Sequence, residues 1–228
     1  MEAIRENDGF FSEVGNSFFI KVFTKMFLGL LLTAAIAYYS FASGLYLKIA
    51  SSGLYFILLI AELAVVIVFS FLFKKLSPIV VTVLFYLYAA LTGISLGSIF
   101  WLYNMETIFY AFLITGAFFG GLALYGYTTN KDISKAGPVL TIALLVGVVA
   151  SIINIFLGNE LINIVLDWVM LIVFAGLTIY DINKLKNISQ VVEYNTDKLY
   201  VYGAMELYLD FINMFLRILR ILARSKRK

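Results

Sequence analysis

Apolar residues run through this chain in long blocks separated by short polar breaks. Seven blocks stand out, at roughly 18–40, 53–73, 79–101, 108–128, 138–158, 161–181 and 200–222. Each is close to the ~20 residues a helix needs to cross the hydrocarbon core of a bilayer. The pattern predicts an all-α polytopic membrane protein of seven transmembrane helices. Pro78 and Pro138 open the third and fifth blocks, where a missing N–H costs least. Connections are short, so neighbours in sequence are expected to pack as antiparallel hairpins. The chain divides into a polar N-terminal segment, 1–17, a single seven-helix domain, 18–222, and a basic tail, 223–228.

Composition sharpens this picture. Hydrophobic residues make up 62% of the chain, against ~45–50% for a soluble domain. The polar N-terminal segment carries Glu2, Glu6, Asp8 and Glu13 with a single arginine. That is not the basic start of a cleaved signal peptide, so the first block reads as an uncleaved span. Cysteine and histidine are both absent. Their absence removes thiol nucleophiles, thiolate and imidazole metal sites, and every Ser-His or Cys-His pair. A retinal-type lysine is missing from the last block, and no GxGD motif of a presenilin-type aspartyl protease occurs. Neither an enzyme, nor a bound cofactor, nor a nucleic-acid partner is expected.

Orientation follows from lysine and arginine in short loops. Arg5, Lys21 and Lys25 flank the start of the first block, and Lys48 alone lies between the first and second. The later connections carry Lys74 and Lys75, then none, then Lys131 and Lys135, then none, then Lys184, Lys186 and Lys198. The alternation places the N-terminus in the cytoplasm. Seven crossings then put the tail, with Arg224, Lys226, Arg227 and Lys228, outside, against the rule. Either the last block does not cross fully, or the earlier loops fix the topology and the tail is carried over.

The last block, "MELYLDFINMFLRILRIL", is the unusual one. Glu206, Asp210, Asn213, Arg217 and Arg220 are spaced by four, three, four and three residues. On a helix they form one narrow polar face. Such a helix either lies in the membrane interface or turns its seam into the bundle, where intramembrane charges pair with one another. Acids at one end and bases at the other favour the bundle. Asn163, Asp167, Thr178 and Asp181 fall near one face of the sixth block, with Asp181 at its cytoplasmic end. Asp210 is expected ~15 Å deeper along an ideal helix. Two carboxylates that meet at low dielectric titrate as a coupled unit. Glu62, midway along the second block, needs a proton or a cation, for which Arg217 and Arg220 are candidates. Glu106, Glu160 and Asp167 against Lys48 make an acidic outer mouth. Gly93 and Gly97 in GISLG, and Gly116 and Gly120 in GAFFG, have the spacing that permits close helix approach. Thr92, Ser95 and Ser98 form a polar stripe suited to interhelical hydrogen bonds.

"GLTIYDINKLK" followed by "AMELYLDFINMFLRILRIL" resembles the signature of the Bax inhibitor-1 family, the transmembrane BAX inhibitor motif proteins, and "YGYTTNKDIS" is similar to that family's pattern as well. The likeness covers nearly the whole chain. It implies a bacterial member in the inner membrane, with seven helices and the C-terminal one central. It implies a pH-sensitive calcium leak, with calcium as the permeant ion and the family's aspartyl dyad at Asp181 and Asp210, which also become the possible calcium ligands. Glu62, Thr178, Glu206, Asn213, Arg217 and Arg220 would form the supporting polar network. In some members a basic residue on the second helix joins the closed state; here that helix carries Glu62 and no arginine. The polar stretch "NKLKNISQVVEYNTDK" is expected to be a loop over the inner mouth. The resemblance also implies an alternative, a regulator that restrains a membrane-bound AAA protease through its polar N-terminal segment without transport of its own.

Overall fold

The computed structural model describes residues 2–190 and 196–226, with side chains from residue 17. The side chains of the N-terminal segment up to residue 16, the middle of the sixth connection at 191–195 and the last two residues lie outside the described residues. Among those described, every regular element is helical: α1 Glu2–Ala42, α2 Leu45–Ser51, α3 Leu54–Leu72, α4 Pro78–Leu96, α5 Ile99–Leu102, α6 Met105–Thr128, α7 Ala136–Leu157, α8 Glu160–Ser189 and α9 Asp197–Ser225, with a 3₁₀ turn at Phe73–Lys75. Six stretches are long and apolar enough to cross a membrane: Ser17–Ala42, Leu54–Lys75, Pro78–Leu102, Met105–Thr128, Ala136–Leu157 and Glu160–Ser189. They match the first six blocks. Large apolar side chains such as Phe71, Ile79, Ile155 and Phe156 stand exposed on them, as lipid-facing surfaces require. The chain is an all-helical integral membrane protein.

α9 is of comparable length but differs in kind. No residue from Lys198 through Arg224 is exposed on it. Its hydrophobicity is concentrated on one side, as the charged stripe implied.

Two compact units make up the chain, Met1–Asn104 with Ser189–Tyr208, and Met105–Ile188 with Leu209–Lys228. In the first, α4 packs against both α1 and α3. The first half of α9 contributes Val201, Ala204, Leu207 and Tyr208 to a core shared with Phe18, Val22, Phe85 and Ala89. Phe85 meets the Tyr208 ring edge-on, with centroids 5.7 Å apart. Tyr208 also shares a 2.6 Å hydroxyl–hydroxyl hydrogen bond with Thr33, and Thr33 lies 2.9 Å from the Ala89 carbonyl. These bonds tie α1, α4 and α9 together. Gly93 sits where a methyl would come within 2.8 Å of the Thr33 carbonyl and of Ile36 Cβ, and Gly97 is similarly close to Ser40. GISLG is therefore a true close approach.

GAFFG is not. A methyl on Gly116 or Gly120 would meet nothing within 4 Å, because the buried face of α6 runs through Thr107, Ala111, Thr115, Phe119 and Ala123 instead. In the second unit, Phe211 packs edge-on against Phe112 and Phe119, each at 5.6 Å. Asn154 donates to Asn163 Oδ1 at 2.8 Å and to the Asn159 carbonyl at 2.9 Å, closing the turn between α7 and α8.

The sixth connection is also corrected. α8 does not stop at Asp181 but continues to Ser189. Ile182, Leu185 and Ser189 carry the buried face two turns further at the spacing of a helix. Asn183 and Lys186 donate to the Gly126 and Thr129 carbonyls at the end of α6, each at 3.3 Å. Asn183 and Lys186, in the stretch expected to be loop, thus stand on a continuing α8 and cap the end of α6.

Candidate functional site

The candidate site lies in the second unit, where the second half of α9 runs antiparallel to α8. At one level, the Thr178 hydroxyl lies 3.2 Å from Asp210 Oδ2 while also bonding the Phe174 carbonyl of its own helix at 2.9 Å. Asp210 and Thr178 are buried. Asp181, also buried, stands one turn beyond Thr178 on the same face of α8, 4.0 Å from Lys184 Nζ. Asp210 is thus level with Thr178, about 5 Å of helix rise from Asp181. The larger depth difference expected from the sequence came from ending α8 at Asp181, eight residues before its actual end at Ser189.

At the other end of the same helix pair, Asp167 gathers three arginines. Its Oδ1 accepts from Arg217 Nη1 at 2.9 Å and Arg220 Nε at 2.8 Å, and its Oδ2 from Arg224 Nη1 at 2.6 Å. Sequence reasoning placed Asp167 in an open acidic mouth and offered Arg217 and Arg220 to Glu62. The structure instead buries Asp167 among these cations. Glu62, in the first unit, accepts from the Ser95 hydroxyl at 2.5 Å, so the α4 polar stripe does serve an interhelical bond. Arg224 falls in the basic tail by sequence, yet it continues the stripe, four residues after Arg220.

The remaining stripe residues separate. Asn213 donates to the Leu209 carbonyl of its own helix at 2.8 Å. Glu206 is half-buried in the first unit's part of α9. Glu106 is exposed and pairs with Lys226 at 3.1 Å, and Glu160 is exposed in the first turn of α8. Among the described residues, no three or more His, Cys, Asp or Glu side chains gather to hold a metal ion.

The class is that of a polytopic helical membrane protein with buried, paired carboxylates in its last two helices. The chain belongs to the Bax inhibitor family: residues 15–227 match the family model described as inhibitor of apoptosis-promoting Bax1. It is similar to the inner membrane protein YbhL of Escherichia coli K12, 42% identical over 216 residues that cover 92% of each chain. It is also similar to an uncharacterized protein of Borreliella burgdorferi, 34% identical over 93% of this chain and 94% of that one. An uncharacterized membrane protein of Streptococcus pyogenes is 34% identical over 94% and 96%.

Proposed function

We propose that this chain is a pH-sensitive, calcium-permeable leak channel gated by protonation of Asp181 and Asp210. The observation that carries the reading is the placement of two buried carboxylates within one turn of each other's level on α8 and α9, with the Thr178 hydroxyl on Asp210. Membership in the Bax inhibitor family supports it. Two such groups at low dielectric interact strongly, so a proton gained or lost changes both the helix pairing and the charge a cation meets. Calcium is the cargo, and oxygen ligands suit it. No arginine stands on the second span; Lys184, beside Asp181, is the cation we assign to balancing the closed pair.

The reading takes α9 as a seventh crossing at the centre of the bundle, supported by the absence of exposed residues from Lys198 through Arg224. It places the chain in the bacterial inner membrane, as the name of the Escherichia coli relative suggests, with the N-terminus inside, supported by the lysine alternation.

Calcium flux into proteoliposomes from about pH 5 to about pH 8 tests it, with wild type beside Asp210→Asn. Pore gating requires a pH-dependent flux whose dependence disappears in the variant. No flux at any pH from folded, inserted protein would overturn the channel reading. A second reading, a regulator of a membrane-bound protease, is favoured by one feature: α1 starts at Glu2 and so runs through the polar stretch that precedes the first apolar block. Removing residues 1–17 would then abolish regulation and leave any flux intact.

A further inference from the structure

We infer that the arginine cluster at the C-terminal end of α9 is a binding site for a phosphate oxyanion, supplied by the headgroup of an anionic phospholipid. Three guanidinium groups converge on one carboxylate, which leaves two positive charges uncompensated within the cluster. Asp167 is 2% exposed at its side chain, whereas Arg217, Arg220 and Arg224 are 17%, 35% and 29% exposed. The acid is sealed in and the cations reach the surface. Each guanidinium gives Asp167 a single N–H, and a guanidinium carries five donors in a planar fork. Arg217 Nε is buried with no hydrogen-bond partner, a state that costs free energy until an acceptor arrives. Planar forks with unused donors suit phosphate oxygens, which they bind two at a time.

The surroundings point to a lipid as the source. Trp168, next to Asp167, is exposed, and so is Tyr110, against whose ring Lys226 Nζ sits at 5.4 Å. Trp168 stands about 12 Å along α8 from its start at Glu160, and Tyr110 about 7 Å along α6 from Met105, and exposed tryptophan and tyrosine toward the ends of spanning helices collect near headgroup depth. A phosphodiester at that depth meets the cluster without leaving the bilayer, and each arginine near a membrane surface favours an anionic lipid.

The chain has two tryptophans, Trp101 and Trp168, so Trp101→Phe leaves Trp168 as the reporter. In nonionic detergent micelles, brominated phosphatidylglycerol and brominated phosphatidylcholine are compared as quenchers of Trp168 at equal mole fraction. The expected result is an apparent affinity for phosphatidylglycerol at least about fivefold higher, lost on Arg220→Gln with Arg224→Gln at unchanged helical content. Inorganic phosphate is titrated alone in a third arm. If it shifts Trp168 emission and the lipids quench equally, the oxyanion chemistry stands and the lipid source is overturned. Equal quenching by both lipids with no response to phosphate overturns the site. The comparison of the two lipids needs only the Trp101→Phe chain to fold, with both arginines intact.

Discussion

A carboxylate facing three guanidiniums holds them in place, so Asp167 is worth more than a single surface pair. Removing the acid while the arginines stay leaves three like charges crowded together. Asp167→Asn is therefore expected to destabilise the protein by about 2–3 kcal/mol, below the range for a fully buried pair because the guanidiniums are partly solvated. Glu106→Gln breaks an exposed pair with Lys226 and is expected to cost under about 1 kcal/mol. Thermal unfolding in detergent ranks the two, and equal losses would show that the arginines do not depend on Asp167. A second residue supplies a control for gating. Asp132, exposed between α6 and α7, accepts hydrogen bonds from the Ser134 hydroxyl and from its backbone N–H, which hold its carboxyl below the ordinary range. A folded-state value below the unfolded one stabilises above the unfolded value of ~3.9, and that contribution is lost as pH falls through the lowered value. Asp132 stays ionised from about pH 5 to about pH 8, so Asp132→Asn should leave the pH profile of calcium flux superimposable on wild type.

Helices respond to substitutions according to what faces them. Gly93→Ala drives a methyl toward the Thr33 backbone carbonyl and Ile36 Cβ, neither of which is the free end of a flexible side chain. Gly120→Ala enters open space and removes a residue unfavourable in helices. The expected outcomes have opposite signs: Gly93→Ala lowers the unfolding temperature, and Gly120→Ala leaves it unchanged or raises it, with about 0.5–1 kcal/mol gained. Both glycines sit in the same GxxxG spacing, and the sequence cannot tell them apart, because spacing fixes a face and not what stands opposite it. Element ends show the same limit. The first six apolar blocks predicted six spans within a few residues, since lipid-facing length is written directly in hydropathy. The extension of α8 to Ser189 was hidden because its buried face is carried by Ile182, Asn183, Leu185 and Ser189, and Lys184, Lys186 and Asn187 between them are polar. The stripe on α9 was legible as a periodicity, and its partners were not. Asp167 lies on another helix, and no spacing rule links it to Arg217.

The direction of the last helix decides how the whole chain sits in a membrane. On the proposed orientation, 129–135 and 182–198 lie on the cytoplasmic side. Within the second unit, α6 ends beside Asn183 and Lys186, while α8 begins near Asp167 and α6 near Glu106. The end of α9 reaches those beginnings, through Arg224 on Asp167 and Lys226 on Glu106. The basic end of α9 therefore lies with the starts of α6 and α8, which is the outward side on the proposed orientation. The positive-inside rule counts loop cations, and here Arg217, Arg220, Arg224 and Lys226 pair with acids of the helices themselves. The natural chain contains no cysteine, so single cysteines can be placed without a background. In intact cells, a membrane-impermeant maleimide is expected to label Ser225→Cys and Ser52→Cys, and to label Ser134→Cys only after permeabilisation. Labelling of Ser134→Cys alone would invert the orientation and keep the crossing. Protection of both Ser225→Cys and Ser134→Cys, with Ser52→Cys labelled, would mean that α9 turns back. The dyad and the arginine cluster would then have to lie toward the same membrane face, and the antiparallel pairing of α8 and α9 would be wrong.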